Sequence, residues 1–243
     1  MNKNIKVKGD KMAEIIGISA GRKNKITESL IETILQGTGK SYELISLSGK
    51  LVRPCEACNG CVKNNRCVFQ DDFLPIVEKM YQSEGIVFGA PTYWDHMNAK
   101  GQAFWEKLCF SGRHNGVFPL RGKPGVIAAV DGIGDGKHVI RDVKKYYDDA
   151  GINLVGNVVA QGEYACFTCG YGNYCPDGGF AELFPLGTPI TEDIKPSISN
   201  QHPEICDLKP EERNIKEKAK NMGAILAKVI DNHKKQQGLF NEE

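Results

Sequence analysis

Four of the chain's nine cysteines lie within thirteen residues, and this crowding is the clearest chemical signal in the sequence. The run CEACNGC contains Cys55, Cys58 and Cys61, and Cys67 follows after a five-residue spacer. Three evenly spaced thiolates can bind three irons of a [4Fe–4S] cube, and Cys67 can bind the fourth. Structural zinc sites more often use two short pairs separated by a longer loop. The spacing therefore favours a cluster over zinc, a disulfide or free thiols.

A second group of cysteines comes late in the chain. Cys166, Cys169 and Cys175 lie in the segment CFTCGYGNYC, and Cys206 follows about thirty residues later. The spacing suits metal ligands, and a metal ion would stabilise a segment that shows no hydrophobic periodicity. We expect either a second metal site, holding zinc or another cluster, or cysteines that pack the loop and pair when oxidised.

The segment SAGRKNKIT, residues 19–27, has the composition of an anion-binding loop between a strand and a helix. Backbone N–H groups and the positive end of the helix attract a phosphate at such a position. The loop has neither the GxxxxGK[ST] nor the GxGxxG pattern, so a monophosphate such as FMN suits it better than a nucleoside triphosphate or NAD. An ordinary turn with Thr27 as the helix cap is the alternative. The candidate phosphate-binding residues are Ser19, Gly21, Arg22, Asn24, Lys25 and Thr27.

Two further loops can approach a flavin ring. The first follows a buried apolar run and supplies aromatic rings and backbone amides, and the second supplies glycines that let the backbone come close to a ring. Packing of exposed aromatic side chains at a surface or interface is the alternative for the first loop. Their candidate flavin-binding residues are Pro91, Thr92, Tyr93, Trp94, Asp131, Gly132, Gly134 and Gly136.

Buried apolar runs and helical patterns alternate and must position these loops. Predicted strands cover 13–20, 41–47, 85–90, 125–130 and 153–160, and predicted helices cover 27–35, 71–81, 98–108 and 137–150. The alternation predicts an α/β, flavodoxin-like, doubly wound five-stranded parallel sheet of order 2-1-3-4-5. Such sheets bind ligands beyond the carboxyl ends of their strands. We therefore expect the three loops, and the cysteine run after the second strand, at one edge of the sheet.

The chain is predicted to form a single domain over residues 1–243. Its core covers 13–162, a Cys-, Pro- and Gly-rich insertion covers 163–208, and a closing helix covers 209–235. Irregular connections longer than about 15 residues are usually functional or disordered. No second core is expected in the insertion.

The composition excludes several classes of partner. A formal net charge of +1 gives no electrostatic case for nucleic acid or a membrane surface. The sequence has no apolar run of about 18 residues and no signal peptide, so we expect a cytoplasmic protein. In a reducing compartment, clustered cysteines favour metal or redox chemistry over disulfides.

Three stretches resemble the iron–sulfur flavoprotein family, a branch of the flavodoxin-like NAD(P)H-dependent FMN reductases. They are GISAGRKNKITESL, CEACNGCVKNNRC followed by QDDF, and GIVFGAPTYW, and the resemblance covers about residues 13–160 and the closing helix. Arg22 and Thr27 match the spacing of the family's phosphate loop, whereas Ala20, Gly21 and Ile26 depart from it. The residues PTYW match its flavin-ring loop.

The resemblance implies FMN near a subunit interface of a homodimer or homotetramer. It also implies one [4Fe–4S] cluster on Cys55, Cys58, Cys61 and Cys67. Electrons would pass between a ferredoxin-like one-electron carrier and a small-molecule two-electron acceptor, with no catalytic residue beyond the cofactors. One alternative is an NAD(P)H-dependent FMN or quinone reductase without a cluster. Another is a zinc-stapled binding module with no redox role.

Overall fold

The computed structural model describes residues 12–132, 135–199 and 214–240 of the chain. Gly134 and Cys206, both candidate site residues, lie outside these ranges. Among the helices of the described ranges, none combines the length and the hydropathy that crossing a membrane requires.

Five parallel strands form the sheet in the order β2-β1-β3-β5-β6, so the predicted order of the parallel strands is confirmed. They alternate with helices, and every predicted element of the core is present with ends shifted by a few residues. The strands are β1 (Ile15–Ser19), β2 (Tyr42–Ser46), β3 (Gly85–Tyr93), β4 (His96–Met97), β5 (Pro124–Asp131) and β6 (Asn153–Gln161). The helices are α1 (Ile26–Gly37), α2 (Phe73–Gln82), α3 (Ala99–Ser111), α4 (Lys137–Ala150) and α5 (Ile215–Phe240).

The short strand β4 is an addition to the predicted sheet. It pairs antiparallel with the end of β3, so that Trp94 and Asp95 form a two-residue hairpin turn. Both residues have positive φ, +51° and +60°, as the tight turns of such hairpins require. The hairpin projects the PTYW segment from the carboxyl edge of the sheet.

Helices cover both faces of the sheet. Apolar side chains of α1 and α5 form one core, and those of α2, α3 and α4 form the other. The two helices α1 and α5 approach closely at Gly223, where an added Cβ would collide with the backbone carbonyl of Ile34. The closing helix therefore completes one layer of the doubly wound core. Its described part begins at Ile215, and residues 209–213 lie outside the described ranges.

The insertion has a small core of its own, which corrects the expectation that it has none. Phe167, Phe180 and Phe184 contact one another, with ring centroids 5.3, 6.3 and 4.9 Å apart. Phe180 is fully buried. Two short 3₁₀ turns, Ala165–Phe167 and Gly172–Tyr174, carry the chain around these rings.

Candidate functional site

A cavity of about 480 Å³ opens at the carboxyl ends of the strands, within the range of about 300–1,000 Å³ typical of ligand pockets. The structure brings the three predicted loops together there, and the segment after β6 forms a fourth side. Predicted residues that line the cavity are Arg22, Lys25, Thr27, Pro91, Thr92, Tyr93, Trp94 and Gly132.

The phosphate-loop candidates divide into lining and supporting residues. Helix α1 begins at Ile26 with Lys25 at the N-cap and no side-chain capping bond, so the alternative of Thr27 as the cap is wrong. Gly21 lies so close to Thr27 that a Cβ there would collide with Thr27 Oγ1. Ser19 is fully buried, and its Oγ accepts the N–H of Gly21 at 3.2 Å. Asn24 donates its N–H to Glu28 Oε2 at 2.6 Å and is absent from the described cavity wall.

Glu163 faces the cations of this loop and was missed by the sequence analysis. Its Oε2 lies 3.3 Å from a guanidinium nitrogen of Arg22 and 3.1 Å from Lys25 Nζ. The carboxylate side chain is only 6% exposed. Glu163 comes two residues after the end of β6, so the rule that ligands bind at strand ends could have pointed to it.

The second and third predicted loops are joined by hydrogen bonds. Thr92 Oγ1 donates to Asp131 Oδ2 at 2.8 Å, and the N–H of Gly162 donates to the Asp131 carbonyl at 2.5 Å. Tyr93 and Trp94 are 49% and 95% exposed at the mouth of the cavity. Both rings are therefore accessible to a ligand or to another chain.

Gly136 does not line the cavity in the described part of the chain, and it shapes the start of α4 instead. It is the N-cap of α4 with φ +69°, and a Cβ there would crowd the side chains of Val159 and Ala129. A glycine is needed there to let the loop enter the helix.

Tyr164 supplies a polar atom that a cofactor could satisfy. Its hydroxyl is buried on the cavity wall and has no hydrogen-bond partner among the described residues. Burial, with Glu182, Asp131 and Cys166 nearby, raises the pKa of Tyr164 to about 12, so the hydroxyl keeps its proton. Buried polar groups normally have partners. With the cationic loop and the cavity volume, this donor fits an FMN molecule.

The four cysteines of the first run line one small pocket. Burial, together with the nearby Cys55, Cys67 and Cys58, raises the pKa of the Cys61 thiol. A bound cation reverses such a shift and holds thiolates. No three His, Cys, Asp or Glu side chains of the described ranges are arranged as a finished metal site. The donor set, four thiols around one pocket, nevertheless fits a [4Fe–4S] cluster.

The pocket lies at the opposite end of α3 from the flavin cavity, so the expectation of a shared edge is wrong. It contacts Lys107, Phe110 and His114, at the end of α3 and just beyond it. At the start of α3, Asn98 donates its Nδ2–H to the Ala20 carbonyl of the phosphate loop at 2.8 Å. Phe110 comes twelve residues after Asn98, a rise of about 18 Å along the helix.

A buried ion pair fixes one side of the cysteine loop to α3. Lys107 Nζ lies 2.5 Å from Asp71 Oδ2, and these side chains are 1% and 0% exposed. Asp71 also accepts the N–H groups of Arg53 and Phe73, each at 3.1 Å. Burial would raise the pKa of Asp71, but these hydrogen bonds hold it below its usual value.

His114 fixes the other side, in a 3₁₀ turn that the sequence analysis did not predict. Its N–H donates to Asn65 Oδ1 at 2.7 Å, and its Nε2 lies 3.1 Å from Cys61 Sγ. Asn115 Nδ2 donates to the Val62 carbonyl at 2.7 Å. These contacts make His114 a neighbour of the candidate ligands.

The remaining cysteines differ in surroundings. Cys166, Cys169 and Cys175 are free thiols of the insertion. Cys109 is buried in the core, and burial raises its pKa to about 12. A thiol of this kind remains protonated at neutral pH.

Comparison with known proteins places this site in a family. The NADPH-dependent FMN reductase family matches residues 13–165. An iron–sulfur flavoprotein of Methanosarcina thermophila is 30% identical over 150 residues, covering 59% of this chain and 78% of the relative. An iron–sulfur flavoprotein of Archaeoglobus fulgidus is 28% identical over 138 residues, covering 55% and 70%.

Solved structures support the fold. RosB with bound 8-demethyl-8-formylriboflavin-5'-phosphate superposes with a TM-score of 0.57 at 15% identity, covering 94% of this chain and 87% of that one. A flavone reductase gives 0.53 at 17% identity, covering 90% and 64%. The family match speaks against a zinc-stapled module without a redox role. The chain belongs to the family of NADPH-dependent FMN reductases and iron–sulfur flavoproteins, and it is a flavin-dependent oxidoreductase.

Proposed function

We propose that the chain holds FMN in the cavity at the strand ends and a [4Fe–4S] cluster on Cys55, Cys58, Cys61 and Cys67. It then transfers electrons between a ferredoxin-like one-electron carrier and a small-molecule two-electron acceptor. The observation that carries the proposal is the convergence of all four thiols on one pocket in a flavin oxidoreductase. A cluster passes single electrons, and FMN accepts one or two, so the pair can interconvert the two kinds of reduction.

The residues around the cysteines can hold and orient the ligands of a cluster. Lys107 lies on the pocket wall, and its buried ammonium is paired with Asp71, so it holds the loop in place. A metal-bound sulfur has no proton, so His114 Nε2 has to be the donor toward Cys61 Sγ. Such outer contacts orient ligands and tune the metal centre.

The residues of the cavity suit FMN. Arg22, Lys25 and the hydroxyl of Thr27 would bind the phosphate beside the start of α1. Tyr93 would flank the ring, and the Tyr164 hydroxyl would donate a hydrogen bond into the cavity. These groups bind and orient the flavin without supplying a nucleophile.

One anaerobic preparation tests the proposal. Quantifying cofactors should give about one FMN, four irons and four sulfides per chain, as one cluster requires. The visible spectrum should combine flavin bands with broad cluster absorbance. A protein with neither flavin nor iron contradicts the proposal.

A matched pair of variants assigns the iron. Cys58→Ala should lose cluster iron and keep FMN, because the two pockets share no lining residue among those described. Cys109→Ala removes a buried thiol outside the set and should keep both cofactors. Loss of FMN together with unfolding in Cys58→Ala would mark the run as a folding staple.

The second candidate is an NADPH-dependent FMN or quinone reductase without a cluster, which the description of the matched family favours. Steady-state NADPH oxidation with a quinone acceptor separates the two functions. Brisk turnover by Cys58→Ala supports the second candidate. Reduction of the wild-type flavin by a reduced ferredoxin, lost in Cys58→Ala, supports the first.

We also propose that the working form is a homodimer or homotetramer. Within one chain, Asn98 beside the phosphate loop and Phe110 on the wall of the cysteine pocket are about 18 Å apart along α3. Assembly can bring the cysteine pocket of one subunit to the exposed Trp94 at the cavity of another. Light scattering of the cofactor-loaded protein tests this, and a monomer that still transfers electrons between its cofactors contradicts it.

A further inference from the structure

We propose that Cys166, Cys169 and Cys175 bind one thiophilic metal ion, Zn²⁺ or Fe²⁺, in a second site beside the flavin cavity. The family match ends at residue 165, so it does not supply this assignment. The three thiols are free, and Cys169 is exposed. They belong to none of the groups described for FMN or for the first cluster.

The first two cysteines have the local geometry of a metal-binding turn. Cys166 lies in the 3₁₀ turn Ala165–Phe167, and Cys169 follows three residues later. Gly170 has φ +84°, which lets the chain reverse directly after Cys169. The N–H of Tyr171 then donates to Cys169 Sγ at 3.4 Å. Cys169 Sγ also lies 3.6 Å from the Cys166 carbonyl, so the two cysteines share one turn. A backbone N–H that contacts a cysteine sulfur is the kind of outer contact that orients metal ligands.

Cys175 returns to the same place. An ideal Cβ at Gly178 would lie 3.3 Å from Cys166 Sγ and 3.4 Å from Cys175 Sγ. The two sulfurs are therefore within about 7 Å of each other. Gly178 leaves the space between them free of a side chain. Its N–H donates to the Cys175 carbonyl at 3.3 Å, which holds the third cysteine in this turn.

The ion has to draw the sulfurs together. Sulfurs on one tetrahedral zinc lie about 3.8 Å apart, given Zn–S bonds of about 2.3 Å. No finished site of three ligands is present in the described ranges, so the cysteine side chains must rotate inward. Three thiolates leave one position of a tetrahedral ion for water. Three sulfurs of this loop suit a single soft or borderline ion.

A metal at this site would stabilise the segment that forms one wall of the flavin cavity, a role called stapling below. Glu163, Tyr164 and Ala165 line that cavity and directly precede Cys166. The ring of Tyr164 lies between Gly132 and Gly179, since a Cβ at either would approach it to 3.1 Å. In the described part of the insertion, the cluster of Phe167, Phe180 and Phe184 is small, and Ile198 packs against the sheet core. A bound metal contributes folding free energy to such a segment.

Cobalt titration of the full chain tests the metal site. Co²⁺ is the probe, since tetrahedral thiolate cobalt has characteristic absorption. The first run is removed by substituting its four cysteines with Ser. This protein should bind about one Co²⁺ per chain with sulfur-to-cobalt charge-transfer bands, and further substitution of Cys166, Cys169 and Cys175 with Ser should abolish them. Adding Cys109→Ser instead should change nothing.

Two results overturn the site. One is equal cobalt binding with and without the three cysteines of the insertion. The other is a Cys166–Cys175 disulfide in the anaerobic protein, found by alkylation and mass spectrometry, with no metal bound.

The stapling role rests on the proposed FMN binding and has its own readout. Cys169→Ser should raise the Kd of FMN by at least about threefold, and a chelator should do the same to the wild type. Cobalt binding without any change in FMN affinity overturns the stapling role and leaves the metal site. A chain that binds cobalt but no FMN contradicts the proposed function instead.

Discussion

The flavin cavity and the first cysteine pocket are built in opposite ways. The cavity gathers loops from the ends of strands that are distant in sequence and adjacent in the sheet. The cysteine pocket is formed by one continuous loop that contacts α3 and the 3₁₀ turn after it. The ion pair of Lys107 with Asp71 and the hydrogen bond of His114 to Asn65 hold this loop in place. Sheet topology therefore places the first site, and a few side-chain contacts place the second.

This difference separates the two sites experimentally. A substitution that removes one of these loop contacts should displace the cysteines. It should leave the flavin cavity unchanged, because the sheet positions the cavity loops. A change in a strand-end loop should weaken flavin binding and leave the cysteine pocket. The predictions below use this independence, and a variant that disturbs both sites equally would contradict it.

The largest effect is expected from Lys107→Met. It leaves the buried Asp71 carboxylate without its ammonium partner, which typically costs about 3–5 kcal/mol of unfolding free energy. Iron should be lost before FMN as denaturant is added. The control Lys144→Met removes an exposed pair with Asp148 and should cost at most about 0.5 kcal/mol. Equal costs for the two variants would show that the buried pair does not fasten the loop.

The same pair predicts a pH dependence. Asp71 has a lowered pKa in the folded chain, whereas an unfolded Asp titrates near 3.9. The contribution of Asp71 to the free energy of unfolding is therefore complete above about pH 4, and it is lost as the pH falls through the folded pKa. The difference in unfolding free energy between wild type and Lys107→Met should be largest at neutral pH. It should begin to narrow when the unpaired carboxyl of the variant takes up a proton, and it should close further as the pH falls through the folded pKa of wild-type Asp71. Denaturant titrations from pH 7 to pH 3 measure it.

Gly21→Ala should weaken the other site. Its new Cβ collides with Thr27 and pushes the phosphate loop from the cavity wall. Overpacking of this kind costs about 1–3 kcal/mol, so the Kd of FMN should rise at least about fivefold. Gly39→Ala is the control. Its φ of +67° makes an alanine there strained, but the new Cβ would meet open space, and Gly39 does not line the cavity. A similar loss of FMN affinity in both variants would assign the effect to global destabilisation.

Strand-end residues were the predictable part of the molecule. Residues 91–93 end β3 after its buried part, residues 85–90, and Trp94 follows the strand. Topology alone brings these residues to Arg22 and Gly132. Glu163 and Tyr164 obey the same rule but open the aperiodic insertion, where no pattern distinguished them. The hairpin turn at Trp94 lacks the glycine that usually signals such turns.

The cysteine pocket was predictable in composition and not in position. A connection of about 26 residues joins β2 to α2, so its course does not follow from the end of β2. Lys107 and Asp71 are 36 residues apart and belong to no common periodic pattern. Phe167, Phe180 and Phe184 likewise form a core without helical or strand spacing. Such contacts depend on three-dimensional packing.

His114→Phe should alter the midpoint potential of the cysteine site without displacing the loop. A hydrogen bond to a cluster sulfur stabilises the reduced, more negative state, so its loss should lower the midpoint potential. A contribution of about 1 kcal/mol corresponds to roughly 40 mV for one electron. His114→Gln keeps a donor and should restore part of the shift. Identical potentials in all three proteins, measured with equal iron content, would remove His114 from this role.

The smallest effect is expected from Glu163→Gln, which tests the electrostatics of the cavity. The phosphate of FMN brings about two negative charges to cations that Glu163 already neutralises. Removing this competitor should tighten FMN binding up to about fivefold, on the scale of 1 kcal/mol for a partly exposed pair. Riboflavin lacks the phosphate and should bind unchanged, and Asp148→Asn, which breaks an exposed pair with Lys144 outside the described cavity wall, should alter neither ligand. Weaker FMN binding in Glu163→Gln would mean that the carboxylate positions Arg22 and Lys25 for the phosphate, because the loss of that order would then outweigh the relief of repulsion.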